Sequence, residues 1–215
     1  MSTLHLIPED VTKLYEVYEW RNATGVLQTA KPTHWNEILS ALRAFQLLRS
    51  EVAAPGKNRS SVVDRLERPL KAAGWVEKQF ATSIVVDGHA TPSPTHKVDC
   101  FKDGVALEVE WNNKDPFYDR DLNNFRLLFD LRIIDVGVII TRASHLQEIF
   151  AALGKGASYG NSTTHMGKLI PRLDGGGGGG CPVLVFAITR NLYVEDELPA
   201  VIEPDLGAEE DEESE

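Results

Sequence analysis

Only two of the 215 residues are cysteine, Cys100 and Cys181, and their spacing is not that of a ligand pair. A disulfide framework and a cysteine zinc site are both disfavoured, and a reducing cytoplasm fits such usage best. No run of about 18 apolar residues occurs, which excludes a membrane-spanning helix. The start, Met1-Ser2-Thr3-Leu4-His5, lacks a basic stretch followed by an apolar one, so it does not read as a secretory signal. The six histidines show no ligand spacing. The run Gly175 to Gly180 lacks the Lys-Ser/Thr that follows the glycines of a phosphate-binding loop, and reads as a flexible spacer. Internal repeats and an internal linker are also missing, so one domain over 1–199 with a tail over 200–215 is the expectation.

Positive charge is scarce overall: 22 Lys and Arg face 32 Asp and Glu, a formal net charge of −10. Taken alone, that balance argues against a nucleic-acid partner. The distribution of the charges points the other way, because residues 195–215 hold 11 of the acids and no Lys or Arg. Setting them aside leaves 21 acids against 22 bases in the body. The stretch from about Ala200 reads as a solvated, disordered acidic tail that serves solubility, with competition for a basic face as the alternative.

What is present is a mixture of helix and strand signals. Residues 12–20 lean to strand. Thr33 reads as the N-cap of a helix with Trp35, Leu39, Leu42 and Phe45 on one stripe. Residues 60–73 read as a second helix that Gly74 closes, with Pro69 inside it costing one hydrogen bond. Trp75 to Val86 looks extended and leads into a polar loop with Pro92 and Pro94. Thr95 to Lys102 and Val105 to Trp111 are extended runs joined at Asp103-Gly104, a dipeptide favoured in tight hairpins. A helix over Tyr118 to Leu131 should bury Leu122, Phe125 and Phe129. Ile133 to Ile140 and Pro182 to Thr189 have the apolar continuity of strands covered on both faces. Helices near Ser144 to Leu153 and Ser162 to Arg172 lie between them. This alternation predicts an α/β fold, a central mixed sheet flanked by helices.

The chemistry concentrates in Val98 to Glu110. Glu108 and Glu110 are two apart on a strand, so both leave one face, and the turn at Asp103-Gly104 returns Asp99 alongside Glu108. Three acids would then converge in the middle of a sheet. Carboxylates a few ångströms apart raise each other's pKa unless a cation neutralises them. Mg²⁺ is the usual ion where phosphate is the substrate, and the Val109 carbonyl is a further candidate ligand. Such an ion would polarise a phosphoryl oxygen and acidify an attacking water, which Glu110 would orient or deprotonate. Alternating acids also occur on solvated sheet faces, but the apolar Val105-Ala-Leu ahead of Glu108 argues for burial.

The Asp-x8-Glu-x-Glu arrangement within Thr95 to Trp111 resembles the PD-(D/E)XK nuclease core. More narrowly, it resembles the type II restriction endonucleases of the BglII, BstYI and BamHI group. Tyr15-Glu-Val-Tyr18, Pro32-x-x-Trp35-Asn-Glu-Ile38, Lys71-Ala-Ala-Gly-Trp75, Ile134-Asp-Val-Gly-Val138, Ala157-Ser-Tyr159 and Pro182-Val-Leu-Val185 follow in the same order and approximate spacing. The resemblance spans about residues 12–190 and implies that Asp99 and Glu108 bind Mg²⁺, with Glu110 as the third active-site position. BglII and BstYI place Gln there, whereas Glu110 resembles the BamHI variant; neither has the Lys of the general motif, which leaves the general base open. Asn113 stands where BglII also has an asparagine near its site.

That resemblance implies an Mg²⁺-dependent endonuclease cutting double-stranded DNA at a short palindromic site, with a GATC centre expected. A homodimer would match the palindrome and bring one catalytic centre to each strand, with the helix at Tyr118 to Leu131 as its contact face. The host would need a companion DNA methyltransferase. Two alternatives stay open: a structure-selective repair or mobile-element nuclease on the same core, and a catalytically inactive DNA-binding module.

Lys97 and Lys114 flank the acids and suit phosphates next to the scissile one, or are ordinary surface lysines. In Gly154 to His165, the side chains of Ser158, Asn161, Ser162, Thr163 and Thr164 suit base edges in the major groove, and the following helix N-terminus favours a phosphate. The resembled family reads its target bases with the corresponding loop, although such a stretch also fits a mobile surface loop. Cys100, Trp35 and Trp75 read as core residues, and His96 as a chance loop histidine rather than a site neighbour.

Overall fold

The computed structural model describes residues 2–54, 60–114 and 116–196. The acidic stretch 200–215 lies outside these described residues. Helix α1 (Glu9–Thr12) leads into β1 (Tyr15–Trp20), then α2 (Ala23–Ala30), α3 (Pro32–Ala44), β2 (Leu47–Leu48), α4 (Arg49–Ala53) and α5 (Ser61–Ala72). Strands β3 (Val76–Lys78), β4 (Ser83–Val86), β5 (His89–Pro92), β6 (Val98–Lys102) and β7 (Val105–Val109) follow. The chain continues through α6 (Phe117–Asp130), β8 (Val136–Arg142), α7 (Gln147–Ala152), α8 (Met166–Asp174), β9 (Val183–Ile188) and β10 (Tyr193–Val194).

Six strands form one sheet in the order β1-β9-β8-β7-β6-β3. β7, β8 and β9 run parallel, and β1, β6 and β3 are each antiparallel to their neighbours. Alternation along the strands divides the core in two. Cys100, Leu107, Val109 and Phe186 pack on one face with Leu27, Leu42 and Leu66 of α2, α3 and α5. Ala106, Ile139 and Val185 pack on the other with Leu122 and Phe125 of α6 and Leu169 of α8. Helices on both faces account for the unbroken apolar runs in β8 and β9. Each buried leucine or phenylalanine of α6 contributes about 2 kcal/mol. Gly137 of β8 sets how closely that helix approaches, since a Cβ there would lie 2.4 Å from the Phe125 ring.

The expected mixed sheet with flanking helices therefore forms, with local differences. α3 begins at Pro32, whose missing N–H costs nothing in a first turn, so Thr33 lies inside the helix instead of capping it. Phe129 is only partly buried, and Leu128 takes the core position on α6. The expected polar loop around Pro92 is a hairpin, β4 with β5, exposed along its whole length. α8 starts at Met166, four residues beyond the expected Ser162. The glycine run is a chain of hydrogen-bonded turns: Gly177 N–H donates to Arg172 O at 2.8 Å and Cys181 N–H to Gly178 O at 3.1 Å. Gly179 O accepts from Trp20 Nε1 at 3.3 Å and Arg21 Nε at 3.0 Å, so the spacer is tied to the end of β1.

Candidate active site

The hairpin of β6 and β7 sets the site. Cys100 pairs with Leu107 and Phe101 with Ala106, so the same register brings Asp99 opposite Glu108. The two carboxyls cross-brace the strands: Asp99 N–H donates to Glu108 Oε2 at 3.1 Å, and Val109 N–H donates to Asp99 Oδ2 at 3.0 Å. Both lie on the α6 side of the sheet, while Cys100 between them points into the opposite core, as a small hydrophobe should.

Glu110 follows the last paired residue of β7, and its backbone is held on both sides. Its N–H donates to Ile140 O at 2.8 Å, and its carbonyl accepts from Thr141 Oγ1 at 3.0 Å. The carboxylate accepts from Asn113 Nδ2 at 2.8 Å and from Arg120 at 3.4 Å. Asp121, fully buried on α6, takes two bonds from the Arg120 guanidinium, at 3.0 and 2.9 Å, and that guanidinium lies 4.3 Å from the Phe117 ring.

Burial raises the pKa of all three sheet acids. It is the largest effect on Asp99, opposed by the Val109 N–H. Glu108 is driven well above the usual carboxylate range by burial and then by Asp99 and Asp121. For Glu110 burial again leads, followed by Asp121. Two oxygens here, Glu108 Oε1 and Asp121 Oδ2, have no hydrogen-bond partner, which is costly for buried carboxyls. Among the described residues, no group of three or more His, Cys, Asp or Glu side chains is arranged to hold a metal ion. Asp99 and Glu108 form a cross-strand pair, and Glu110, bonded by Asn113 and Arg120, lines the same cleft as Asp99. A pair of carboxylates with a bare oxygen still suits a hard cation such as Mg²⁺, which keeps several waters and takes one or two carboxylates.

A cleft of about 290 Å³ opens beside Asp99, and His96, Glu67 and Arg120 join Asp99, Glu110 and Asn113 in lining it, while Glu108 lies buried behind its wall. Sequence reasoning missed Glu67, Arg120 and Asp121, and set His96 aside. A signal existed for two of them: Asp121 falls on the apolar stripe of α6 with Tyr118, Phe125 and Leu128, and Glu67 on that of α5 with Leu66 and Leu70. A carboxylate on a core stripe is costly unless it has a task.

The remaining predicted positions divide. Lys97 is exposed and ion-paired with Glu77 at 3.0 Å, and Lys114 is exposed and bridges through its backbone to Thr163. Ser158, Asn161 and Ser162 are exposed. Thr163 and Thr164 are buried, a correction to their reading as base contacts. The Thr163 hydroxyl accepts from Arg142 at 3.1 Å and donates to Gly160 O at 3.0 Å. The Thr164 hydroxyl accepts from Asn113 N–H at 3.0 Å. No apolar face of the loop had signalled this.

A six-stranded mixed sheet between helical layers, with buried acids at the end of its central hairpin, is a restriction-endonuclease-like fold. The family model described as "Restriction endonuclease BglII/BglIII" matches residues 15–188, and the chain belongs to that family. A comparison with curated proteins finds no match. The chain is thus a type II restriction endonuclease, a site-specific deoxyribonuclease that hydrolyses double-stranded DNA, and enzymes of this kind generally need a divalent metal. No helix among the described residues is long and apolar enough to cross a membrane.

Proposed function

We propose that the protein is an Mg²⁺-dependent restriction enzyme of the BglII, BstYI and BamHI group on a PD-(D/E)XK core, cutting a short palindromic site with a GATC centre. The observation that carries this reading is the side-by-side placement of Asp99 and Glu108 with one buried carboxylate oxygen unpartnered. These two residues, with the Val109 carbonyl, would hold the ion. Bound there, it supplies Lewis-acid polarisation of the phosphoryl group and a more acidic water.

The chain's own groups do the rest. Asn113 and Arg120 both donate to Glu110 and oppose the rise that burial and Asp121 impose on its pKa; in its ionised form it would take a proton from the attacking water. Arg120, at the cleft and stacked on Phe117, supplies the positive charge that the strand lacks at the position of the general motif's Lys. Lys97 and Lys114 suit neighbouring phosphates, and exposed Ser158, Asn161 and Ser162 suit base edges.

The enzyme acts as a homodimer, one centre for each strand. Leu127 on α6 and Leu131 just past its end are exposed and four residues apart, which supports that helix as the contact face. One nuclease domain spans 1–199, and a companion methyltransferase protects the host DNA in the same cytoplasm.

Incubation with phage DNA and Mg²⁺, followed by sequencing of the ends, tests this reading. One recurring palindrome is expected. EDTA should silence the reaction and Ca²⁺ should support binding without turnover. Cleavage that survives chelation, or that follows junctions and mismatches rather than sequence, would overturn it.

A further inference from the structure

The segment that carries Glu110 and Asn113 and the loop that carries Ser158, Asn161 and Ser162 are stitched together. Lys114 bridges to Thr163 in antiparallel fashion, and Thr164 N–H donates to Asn113 O at 2.7 Å. One buried side chain adds two further links. The Thr164 hydroxyl accepts from Asn113 N–H at 3.0 Å and reaches the Glu110 carbonyl at 3.4 Å. That carbonyl also accepts from Thr141 of β8. Glu110 is therefore gripped from the rigid sheet on one side and from the loop on the other.

The loop is anchored in the core by the Tyr159 ring, packed on Trp111 and Phe150, and by a buried arginine. Arg142, next to Thr141 on β8, is buried, and its guanidinium donates to Tyr159 O at 3.0 Å and Thr163 Oγ1 at 3.1 Å. The ring of Phe150 lies 5.4 Å from that guanidinium, and Arg142 Nε has no partner. A loop held at these buried points and touching DNA at its exposed residues transmits displacement to its far end, where Thr164 sits.

From this arrangement we infer that Thr164 is a positioning residue coupling base recognition to cleavage. The reading of the bases sets the seat of the loop, and Thr164 passes that setting to the Glu110 peptide and, through Asn113, to the Glu110 carboxylate. A wrong base pair leaves the loop displaced and Glu110 out of place, so the metal pair can be complete while the water is poorly held. This inference rests on the proposed function, because it takes the loop as a DNA contact.

The substitution Thr164→Val keeps the buried volume and the backbone pairing and removes both hydroxyl links. With the cognate site, kcat should fall by about 10- to 100-fold, the scale of a misplacement near 1 Å. Binding in Ca²⁺ should change by less than about threefold, within the range of an intact interface. The ratio of kcat/KM between the cognate site and sites altered at one base pair should narrow. Thr164→Ser restores the hydroxyl and should restore both rate and discrimination. Thr141→Val removes the other donor to the same carbonyl without touching the loop, and should slow all sites alike.

The inference is overturned if Thr164→Val leaves kcat intact, slows cognate and altered sites equally, or is not rescued by serine. Thr164→Ala gives the same readings if the valine variant has no cooperative melting transition. Failure of the underlying reading looks different: the unaltered protein would then cut at no discrete site, or Asp99→Ala would still cut.

Discussion

Two hairpins in this molecule turn on the same dipeptide. Asp87-Gly88 joins β4 to β5 and Asp103-Gly104 joins β6 to β7, and in both turns the aspartate and the glycine have positive φ, 50° and 82° in the first and 39° and 85° in the second. The first hairpin is exposed throughout, with Ile84, Val85 and Val86 at 59%, 63% and 62% exposure. In the second, β7 is buried along its entire length. The turn chemistry is common to both, so it specifies where the chain reverses and nothing more. The difference lies in the neighbours: β7 has β8 on its free edge and helices on both faces, whereas β4 and β5 pair only with each other. Only the covered hairpin holds carboxyls out of water, and that desolvation is what raises the pKa of Asp99 and Glu108.

The largest effect should come from the inner hairpin. Asp99→Ala and Glu108→Ala should each lower cleavage by about 10³-fold or more, ~4 kcal/mol of barrier, measured as single-turnover cutting of a plasmid. Replacing both Ile84 and Val86 by Thr should leave that rate within about twofold and stability within ~0.5 kcal/mol. A large loss of cutting there would break the contrast and give the outer hairpin a role at the DNA.

The two glycines sharpen the comparison. Alanine at a positive φ costs about 1–2 kcal/mol whatever surrounds it. At Gly88 a Cβ meets nothing within 4 Å, so Gly88→Ala should lose about 1 kcal/mol in urea unfolding. At Gly104 it would lie 2.5 Å from Asp135 Oδ2 and 3.0 Å from Lys31 Nζ, two groups ion-paired at 2.8 Å. Gly104→Ala should lose about 3 kcal/mol, and equal losses at the two turns would show the inner surroundings to be soft.

The smallest effect sets Glu108 against Glu19 of β1, an acid of the same sheet. Burial alone would raise Glu19 too, but donors from Thr3, Ser2 and Thr24 bring its carboxyl down to about 2. A depressed folded pKa stabilises the protein above the usual range near 4.5 and loses that contribution as pH falls toward 2. The melting points of the wild type and Glu19→Gln should therefore differ at pH 5 and converge as pH approaches 2. A gap that persists unchanged at the acid end would mean the hydrogen bonds, not the charge, carry the effect.

Much of this architecture is legible in the amino-acid sequence. Apolar continuity identifies β8 and β9, and the spacing of Asp99, Glu108 and Glu110 places all three on one face of the sheet. The hidden parts depend on partners distant in the chain. Asp121 and Arg120 come to the acids on a helix, and nothing at residues 98–110 announces them. Thr163 and Thr164 look like polar loop residues, and only the fold shows their hydroxyls turned inward to Arg142, Asn113 and Glu110. The Asp87-Gly88 turn carries the same hairpin signal as Asp103-Gly104, but Pro92 and Pro94 suggest a loop; Pro92 is tolerated at the end of an edge strand that pairs only with β4.

Six consecutive glycines invite anyone engineering this enzyme to splice a reporter or an affinity handle between them. The bonds from Trp20 and Arg21 to Gly179 make that a poor port, because a graft there would tug on the first strand of the sheet. The Asp87-Gly88 tip, standing clear of every other element, is the place where added cargo would leave the enzyme undisturbed.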